Sequence, residues 1–237
     1  MATGKLYLIP TMLGESDPAE VLPASVPNIV VNTRNFIAEN EKTARRFIKT
    51  ITPEVPQPEL KFSILNKHTE PSEHRPMLRP CENGENVGLM SEAGCPGIAD
   101  PGAVIVKLAH EMGIQVVPMV GPSSILLAMM ASGMNGQNFA FNGYLPIDKS
   151  EKKSALRNFE KLSYEKGQSQ IFIETPYRNN KMLEDILQAL HPETHLCVAA
   201  DVTLASEYIR TMPVKSWKKE KTDLQNRPAI FIIHRFR

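Results

Sequence analysis

Asn86–Met119 runs NVGLM SEAGCPGIADPG AVIVKLAHEMG IQVVPM: a short apolar run, a twelve-residue loop, a helical stretch and a second β-branched run. Asn86–Met90 predicts a buried strand. Ile105, Leu108, Ala109 and Met112 recur at three- and four-residue spacing and so share one face of a helix. Gln115–Met119 predicts the next strand. A strand, a crossover helix and a strand form the unit from which parallel sheets are built.

The same alternation extends towards the N-terminus. Lys5–Ile9 predicts a first strand ended by Pro10, and Asn28–Val31 with Phe36–Ala38 predict the next extended segment. Ala44, Phe47, Ile48 and Ile51 mark an amphipathic helix, which Pro53, Pro56 and Pro58 stop. Lys61–Leu65 predicts a strand and Asn66–Glu85 a polar, proline-bearing loop. Towards the C-terminus the composition changes. Val120–Ser124 opens an almost wholly apolar helix, Ile125–Ala131, expected to be buried on most sides. Phe139–Asn142 predicts a strand, Ile147–Lys166 a charged surface segment and Gln170–Ile173 another strand. A helix with Leu183, Ile186, Leu187 and Leu190 on one face follows. Leu196–Ala199, Glu207–Thr211 and Ala229–Ile233 complete a second sheet. The expected class is therefore α/β, with mainly parallel or mixed sheets. The boundary falls near Met119–Gly121, giving an N-terminal α/β domain over residues 1–119 and a C-terminal one over 120–237.

Composition excludes several classes. The chain has 237 residues, with 27 Lys and Arg against 26 Asp and Glu, a net charge of +1. That balance argues against a polybasic nucleic-acid binder but leaves room for local basic segments. Three exist: Lys149, Lys152, Lys153, Arg157 and Lys161; Lys215, Lys218, Lys219 and Lys221 around Trp217; and Arg34, Arg45 and Arg46. Each suits phosphate contacts or a solvated face. Ile125–Ala131 falls far short of the ~20 residues of a membrane span, so no membrane partner is expected. The N-terminus predicts a strand and not a signal peptide. Cys81, Cys95 and Cys197 are widely spaced with no CxxC, which argues against a disulfide framework or zinc site and suits a reducing cytoplasm. No metal is expected, because His191 and His195 straddle Pro192. GxGxxG, GxxxxGK[ST] and GxSxG are all absent.

The loop Ser91–Gly102 is the densest signal. It joins a strand to a helix, where open α/β sheets bind ligands at strand carboxyl ends. Gly94, Gly97 and Gly102 permit close backbone approach and φ > 0, while Pro96 and Pro101 stiffen the turn. Such a loop suits a ligand held by main-chain groups, or a tight turn with nothing bound.

SEAGCPGIADPG, then VVPMVGPSS with its apolar helix, then FIETPYR, closely resemble the tetrapyrrole methylase superfamily of S-adenosylmethionine-dependent methyltransferases. The resemblance covers Lys5–Thr211 and is closest to the branch that 2′-O-methylates a cytidine of small-subunit (16S) ribosomal RNA. That branch reads S-D-A-G-T-P-G-I-S-D-P-G, then P-G-P-S, then E-S-P-H-R. The resemblance implies two α/β domains with S-adenosylmethionine in the cleft between them, a homodimer and no metal. By position it implies cofactor contacts from Pro10 and Thr11, from Ala93, Gly94, Cys95, Pro96, Ile98 and Ala99, from Ser123 and Ser124, from Glu174 and Thr175, and from Pro228 and Ala229. The chain departs from the branch in three places. T-P-I-G-N becomes Thr11-Met12-Leu13-Gly14-Glu15, and A-E-D-T-R becomes Ala38-Glu39-Asn40-Glu41-Lys42. R-E-L-T-K-x-x-E becomes Ala200-Asp201-Val202-Thr203-Leu204-Ala205-Ser206-Glu207.

Methyl transfer from a sulfonium is an in-line displacement that relies on positioning, and a ribose hydroxyl gains from a general base. In the matched loops and beside them, Glu39, Glu174 and His68 are candidates for the catalytic base, and Arg178 for holding a phosphate. Bland alternatives stand beside them. Glu39 and Glu92 suit helix or loop capping, His68 suits solvation in its polar loop, and Arg178 suits pairing with Glu174. Cys95 replaces Thr as a small space-filler, with nothing basic adjoining it. Three functions compete: a ribose 2′-O-methyltransferase acting on ribosomal RNA or the small subunit; a C-methyltransferase on a corrin or porphyrin (tetrapyrrole) precursor; and a cofactor-binding homologue that has lost catalysis.

Overall fold

A computed structural model describes residues 3–236. The chain divides between Ser123 and Ser124 into two compact units.

The first unit runs β1 (Lys5–Ile9), α1 (Pro18–Val21), α2 (Ser25–Val31), β2 (Asn35–Ala38), α3 (Glu41–Ile51), β3 (Lys61–Ile64), α4 (Pro71–Met77), α5 (Arg79–Glu82), β4 (Val87–Met90), α6 (Ala103–Glu111) and β5 (Gln115–Pro118). Its five strands order β3-β2-β4-β1-β5, all parallel. Alternation along the strands feeds two cores. Ile9, Phe36, Ala38 and Met90 pack with Val26, Val30, Phe47 and Ile48 of α2 and α3 on one face. Leu6, Ile37, Val87 and Leu89 pack with Met77, Cys81, Ile105 and Ala109 of α4, α5 and α6 on the other. A sheet covered on both faces is the setting in which parallel strands are stable. Gly88 sits where a Cβ would lie 2.7 Å from Ile9 Cδ1 and 2.9 Å from Phe36 Cδ1, so it lets those two side chains close over β4.

Two expected segments differ. Asn28–Val31 is helical, within α2. Leu22, Val26 and Val30 lie four apart and are all buried, so the helical stripe outweighs the β-branched residues. Asn66–Glu85 is not all loop but contains α4 and α5. Pro71 and Pro80 stand in their first turns, where a missing N–H costs nothing, and Glu70 with Glu73 forms a capping box.

The second unit holds α7 (Ser124–Ala131), β6 (Phe139–Tyr144), α8 (Lys149–Lys166), β7 (Ser169–Ile173), α9 (Asn179–Ala189), β8 (His195–Ala200), β9 (Tyr208–Pro213), α10 (Val214–Trp217) and β10 (Ala229–His234). Strand order is β6-β7-β10-β8-β9. β6 and β7 are parallel, and the remaining pairs are antiparallel, so the sheet is mixed. α8 and α9 cover one face through Leu156, Met182, Leu183 and Ile186. The apolar helix α7 departs from expectation: Ala128 and Met129 are buried, but Leu126 and Met130 are exposed at 52% and 79%. Two members of the expected basic segments are also internal. Lys152 is buried and pairs with Asp185 at 3.2 Å. Trp217 is buried, its indole N–H donating to the Leu196 carbonyl at 2.9 Å, so it serves the core.

Candidate functional site

The strand order of the first unit defines where a ligand belongs. The connection leaving β1 runs past β4 to β2, while the connection leaving β4 runs past β1 to β5. The two neighbours therefore send their chains in opposite directions, and the crevice at their carboxyl ends is a topological switch point. Pro10–Thr11 and Ser91–Gly102 leave the sheet there.

These loops are stitched to one another. The Thr11 and Gly94 backbones exchange hydrogen bonds, Thr11 N–H to the Gly94 carbonyl at 3.0 Å and the reverse at 3.2 Å. The Ser91 hydroxyl donates to the same Gly94 carbonyl at 2.9 Å, and the Thr11 hydroxyl to the Ser91 carbonyl at 3.3 Å. Gly94 has φ +77°, and a Cβ there would meet Leu13 Cδ2 at 3.1 Å and the Pro122 carbonyl at 3.2 Å. The Cys95 thiol donates to the Pro122 carbonyl at 3.4 Å, tying in the segment after β5, and burial pushes that thiol up. Gly121 permits this approach, since its Cβ would stand 2.3 Å from the Pro10 ring. Further along, Asp100 Oδ1 accepts from both Gly97 N–H and Gly102 N–H at 2.8 Å, folding the loop back on itself. Ala93, Ile98 and Ala99 are left exposed, and the space beside Gly97 is open. Glycines with positive φ and an open outer face fit a cofactor held by main-chain groups.

Glu39 follows β2 immediately. Burial, then the Asp100 carboxylate, then Glu92 push its carboxyl up, while the Glu92 backbone N–H opposes them. Asp100 is likewise raised by burial. Next to it, Asn40 caps α3, its Oδ1 accepting from Lys42 and Thr43 N–H at 2.9 and 3.3 Å. Asn and Asp cap equally well, so the Asn in AENEK preserves the helix start. His68 lies apart: it is exposed, in the turn after the edge strand β3, two strands from β4, and its N–H donates to Asn66 Oδ1.

In the second unit, Glu174 ends β7 and is buried. Its Oε1 accepts from Arg178 Nη2 at 2.7 Å and Nε at 3.1 Å, and from Thr175 N–H at 2.8 Å. The pairing with Arg178 is thus realised, and both groups are engaged. Asn179 donates to the Arg227 carbonyl at 2.6 Å, and Asp201 N–H to the Pro228 carbonyl at 2.9 Å. Because β10 is antiparallel to both β7 and β8, these links gather Glu174, Thr175, Pro228, Ala229 and Asp201 at one end of the three central strands. Asp201 Oδ2 holds Arg227 Nε at 2.7 Å and the Ser206 hydroxyl at 3.0 Å. Glu207 accepts from Thr203 N–H at 2.8 Å. The acidic residues kept in ADVTLASE therefore build that loop, with Asp201 and Thr203 at φ +50° and +74°. Asp enters that region readily, whereas β-branched Thr203 is strained there. Ser124 opens α7, and Ser123 precedes it at the end of the first unit.

Asp100 joins the site although the family motif does not assign it a contact; an Asp before Pro-Gly at a helix start is the signal that marks it. Among the described residues no group of three metal-ligating side chains occurs, and no helix is long and apolar enough to cross a membrane.

Residues 28–217 match the family model of Tetrapyrrole (Corrin/Porphyrin) Methylases. A Vibrio cholerae protein named ribosomal RNA small subunit methyltransferase I is 30% identical over 98% of this chain and 77% of its own length. Proteins of the same name match from Escherichia coli O157:H7, at 31% over 97% and 77%, and Bacillus subtilis, at 30% over 87% and 67%. Among solved structures, the methyltransferase CobJ superposes with a TM-score of 0.65 at 13% identity, covering 98% of this chain and 94% of that one. A uroporphyrin-III C-methyl transferase from Thermus thermophilus, complexed with S-adenyl homocysteine, does so with 0.60 at 16%, covering 98% and 97%. These structures share the fold.

Proposed function

The chain belongs to the tetrapyrrole (corrin/porphyrin) methylase family, and from that premise we propose that it methylates small-subunit (16S) ribosomal RNA at a ribose 2′-hydroxyl, using S-adenosylmethionine. The observation that carries this reading is the match, at 30–31% identity over nearly the whole chain, to proteins named for small-subunit ribosomal RNA methylation.

When bound, S-adenosylmethionine supplies an electrophilic methyl group on a sulfonium. In the first unit the loop from Ala93 to Ala99, with Pro10 and Thr11, offers it main-chain donors and acceptors on a frame fixed by Asp100 and Ser91. In the second unit the family resemblance assigns cofactor contacts to Thr175, Pro228 and Ala229, and to Ser123 and Ser124 around the start of α7. Glu174 and Arg178 restrain each other and so act as positioning residues. With the cofactor bound, Glu39 would take the proton released by the 2′-hydroxyl as its oxygen displaces sulfur from the methyl carbon, the carbon–sulfur bonding pair staying on sulfur. A carboxyl held above its ordinary range by burial and by Asp100 is a better base than an ordinary one. His68, solvated beyond the edge strand, has no part in this scheme.

The enzyme works as a cytoplasmic homodimer. Free Cys81, Cys95 and Cys197 fit a reducing compartment, and the outward Leu126 and Met130 of α7 fit a second copy.

The test is transfer of labelled methyl from S-adenosylmethionine to small ribosomal subunits from a strain lacking the modification. One ribose methyl per subunit is expected. Cofactor binding without transfer to the subunits, or transfer only to a porphyrin-type precursor, overturns the reading.

A further inference from the structure

A groove of about 420 Å³ opens in the first unit between the loop after β1 and the outer flank of α3. That volume falls in the ~300–1,000 Å³ range of small-ligand sites. Its apolar lining comes from Met12, Leu13 and Phe47. Three kinds of polar group join them. The Ser16 hydroxyl is buried and makes no hydrogen bond among the described residues, a cost that a ligand would relieve. Arg46 is exposed. Its neighbour Arg45 is held by Glu41 at 2.7 Å, but Arg46 has no ion pair among the described residues. Glu15 and Glu92 supply carboxylates, and Glu92 is steadied by the Thr43 hydroxyl at 2.7 Å.

One cation, two carboxylates, an unpartnered hydroxyl and an apolar lining match a single unstacked ribonucleotide. The guanidinium suits its phosphate, a carboxylate accepts from an exocyclic amine, and the hydroxyl pairs with sugar or base. Single-stranded RNA offers such splayed nucleotides. The groove also adjoins the chemistry, because the Glu92 backbone N–H faces the Glu39 carboxylate. We propose that this groove seats the acceptor nucleotide, with Arg46 holding its phosphate. This rests on the RNA-methylation reading above.

Arg46→Ala, Arg46→Lys and Ser16→Ala in the full chain test it. Arg46 is exposed on a helix, and Ala is a strong helix former, so the fold should survive. Steady-state transfer to unmodified small subunits is measured alongside calorimetry with S-adenosylmethionine. Arg46→Ala should raise the KM for subunits by on the order of tenfold or more, with cofactor affinity unchanged. Arg46→Lys should recover part of this, since a point charge keeps the phosphate but loses the fork. Ser16→Ala should raise the KM several-fold. If wild-type protein methylates subunits and Arg46→Ala does so with unchanged KM, or loses cofactor affinity in step, the groove assignment falls while the reading stands. If wild-type protein neither binds nor methylates subunits, the reading falls and takes the assignment with it.

Discussion

Glu39 carries a cost that its chemistry explains. Burial, Asp100 and Glu92 hold its carboxyl above the usual range, so the folded chain keeps this proton at pH values where the unfolded chain has released it. Between the two pKa values the folded state binds more protons, and stability therefore falls as pH rises through that window, with the full cost present above the folded value. Glu39→Gln removes the charge while keeping the shape. Urea unfolding should find this variant more stable than wild type at pH 7, with the difference vanishing in acid below the ordinary glutamate pKa. The same variant should lose on the order of a hundredfold or more in methyl transfer; equal or lower stability at pH 7 would count against the assignment. Stability gained where activity is lost is the pattern of a residue retained for function. The neighbouring loop was legible in the sequence because its glycines and prolines fix backbone geometry locally. Gly94 and Gly97 do adopt positive φ, but Gly102 does not: at φ −60° it is already helical and caps α6. Ser16 and Arg46 gave no such signal, because the groove they share exists only once the first-strand loop meets α3, thirty residues on.

At the scale of elements, α8 and α9 are joined by a buried pair, Lys152 with Asp185, whose side chains are 9% and 10% exposed. Lys181 reaches the same carboxylate from the exposed side at 2.9 Å. Removing one partner of a buried pair leaves an uncompensated charge, at about 3–5 kcal/mol, whereas replacing the buried charge with an apolar side chain is often neutral. Asp185→Ala should therefore destabilise the chain by about 3 kcal/mol in urea unfolding, and adding Lys152→Met should restore most of it. A double variant as unstable as the single one would show that Asp185 acts through its contact with Lys181. No charge count could have exposed this pair: Lys152 belongs to a run of lysines that looks solvated, and only the packing of α8 on the sheet turns one of them inward. Elements were legible where one periodicity dominated, as in β4, α3 and α9. They were misread where two signals competed. Asn28–Val31 holds β-branched residues and a four-residue stripe together, and tertiary burial of Val26 and Val30 decided for the helix. In Asn66–Glu85 the prolines suited a loop, yet Pro71 and Pro80 stand in first turns, where they start helices, and Pro76 lies inside α4.

For the whole molecule, near-zero net charge means that an RNA substrate must be met by local charge, and that surface apolar area carries more weight in self-association. The helix α7 is the clearest case. It is nearly all apolar, so solvent offers no compensation for the side it leaves open, and Leu126 and Met130, four residues apart, share that side. A lone exposed methionine needs no explanation; two large apolar side chains on one turn of a helix are where the proposed second copy would sit. If a second copy covers it, a charge placed there should split the dimer without harming the chain, since exposed substitutions change stability by only about 0.5 kcal/mol. Met130→Glu is the matching variant, at a position 79% exposed. Sedimentation of the wild type should give twice the mass of the chain, and Met130→Glu should shift it to the single mass over the same concentrations, with unfolding midpoints that agree at high dilution. A variant that stays dimeric with unchanged affinity would place the contact elsewhere. A wild type that sediments as a single chain at every concentration would leave the stripe to a different partner.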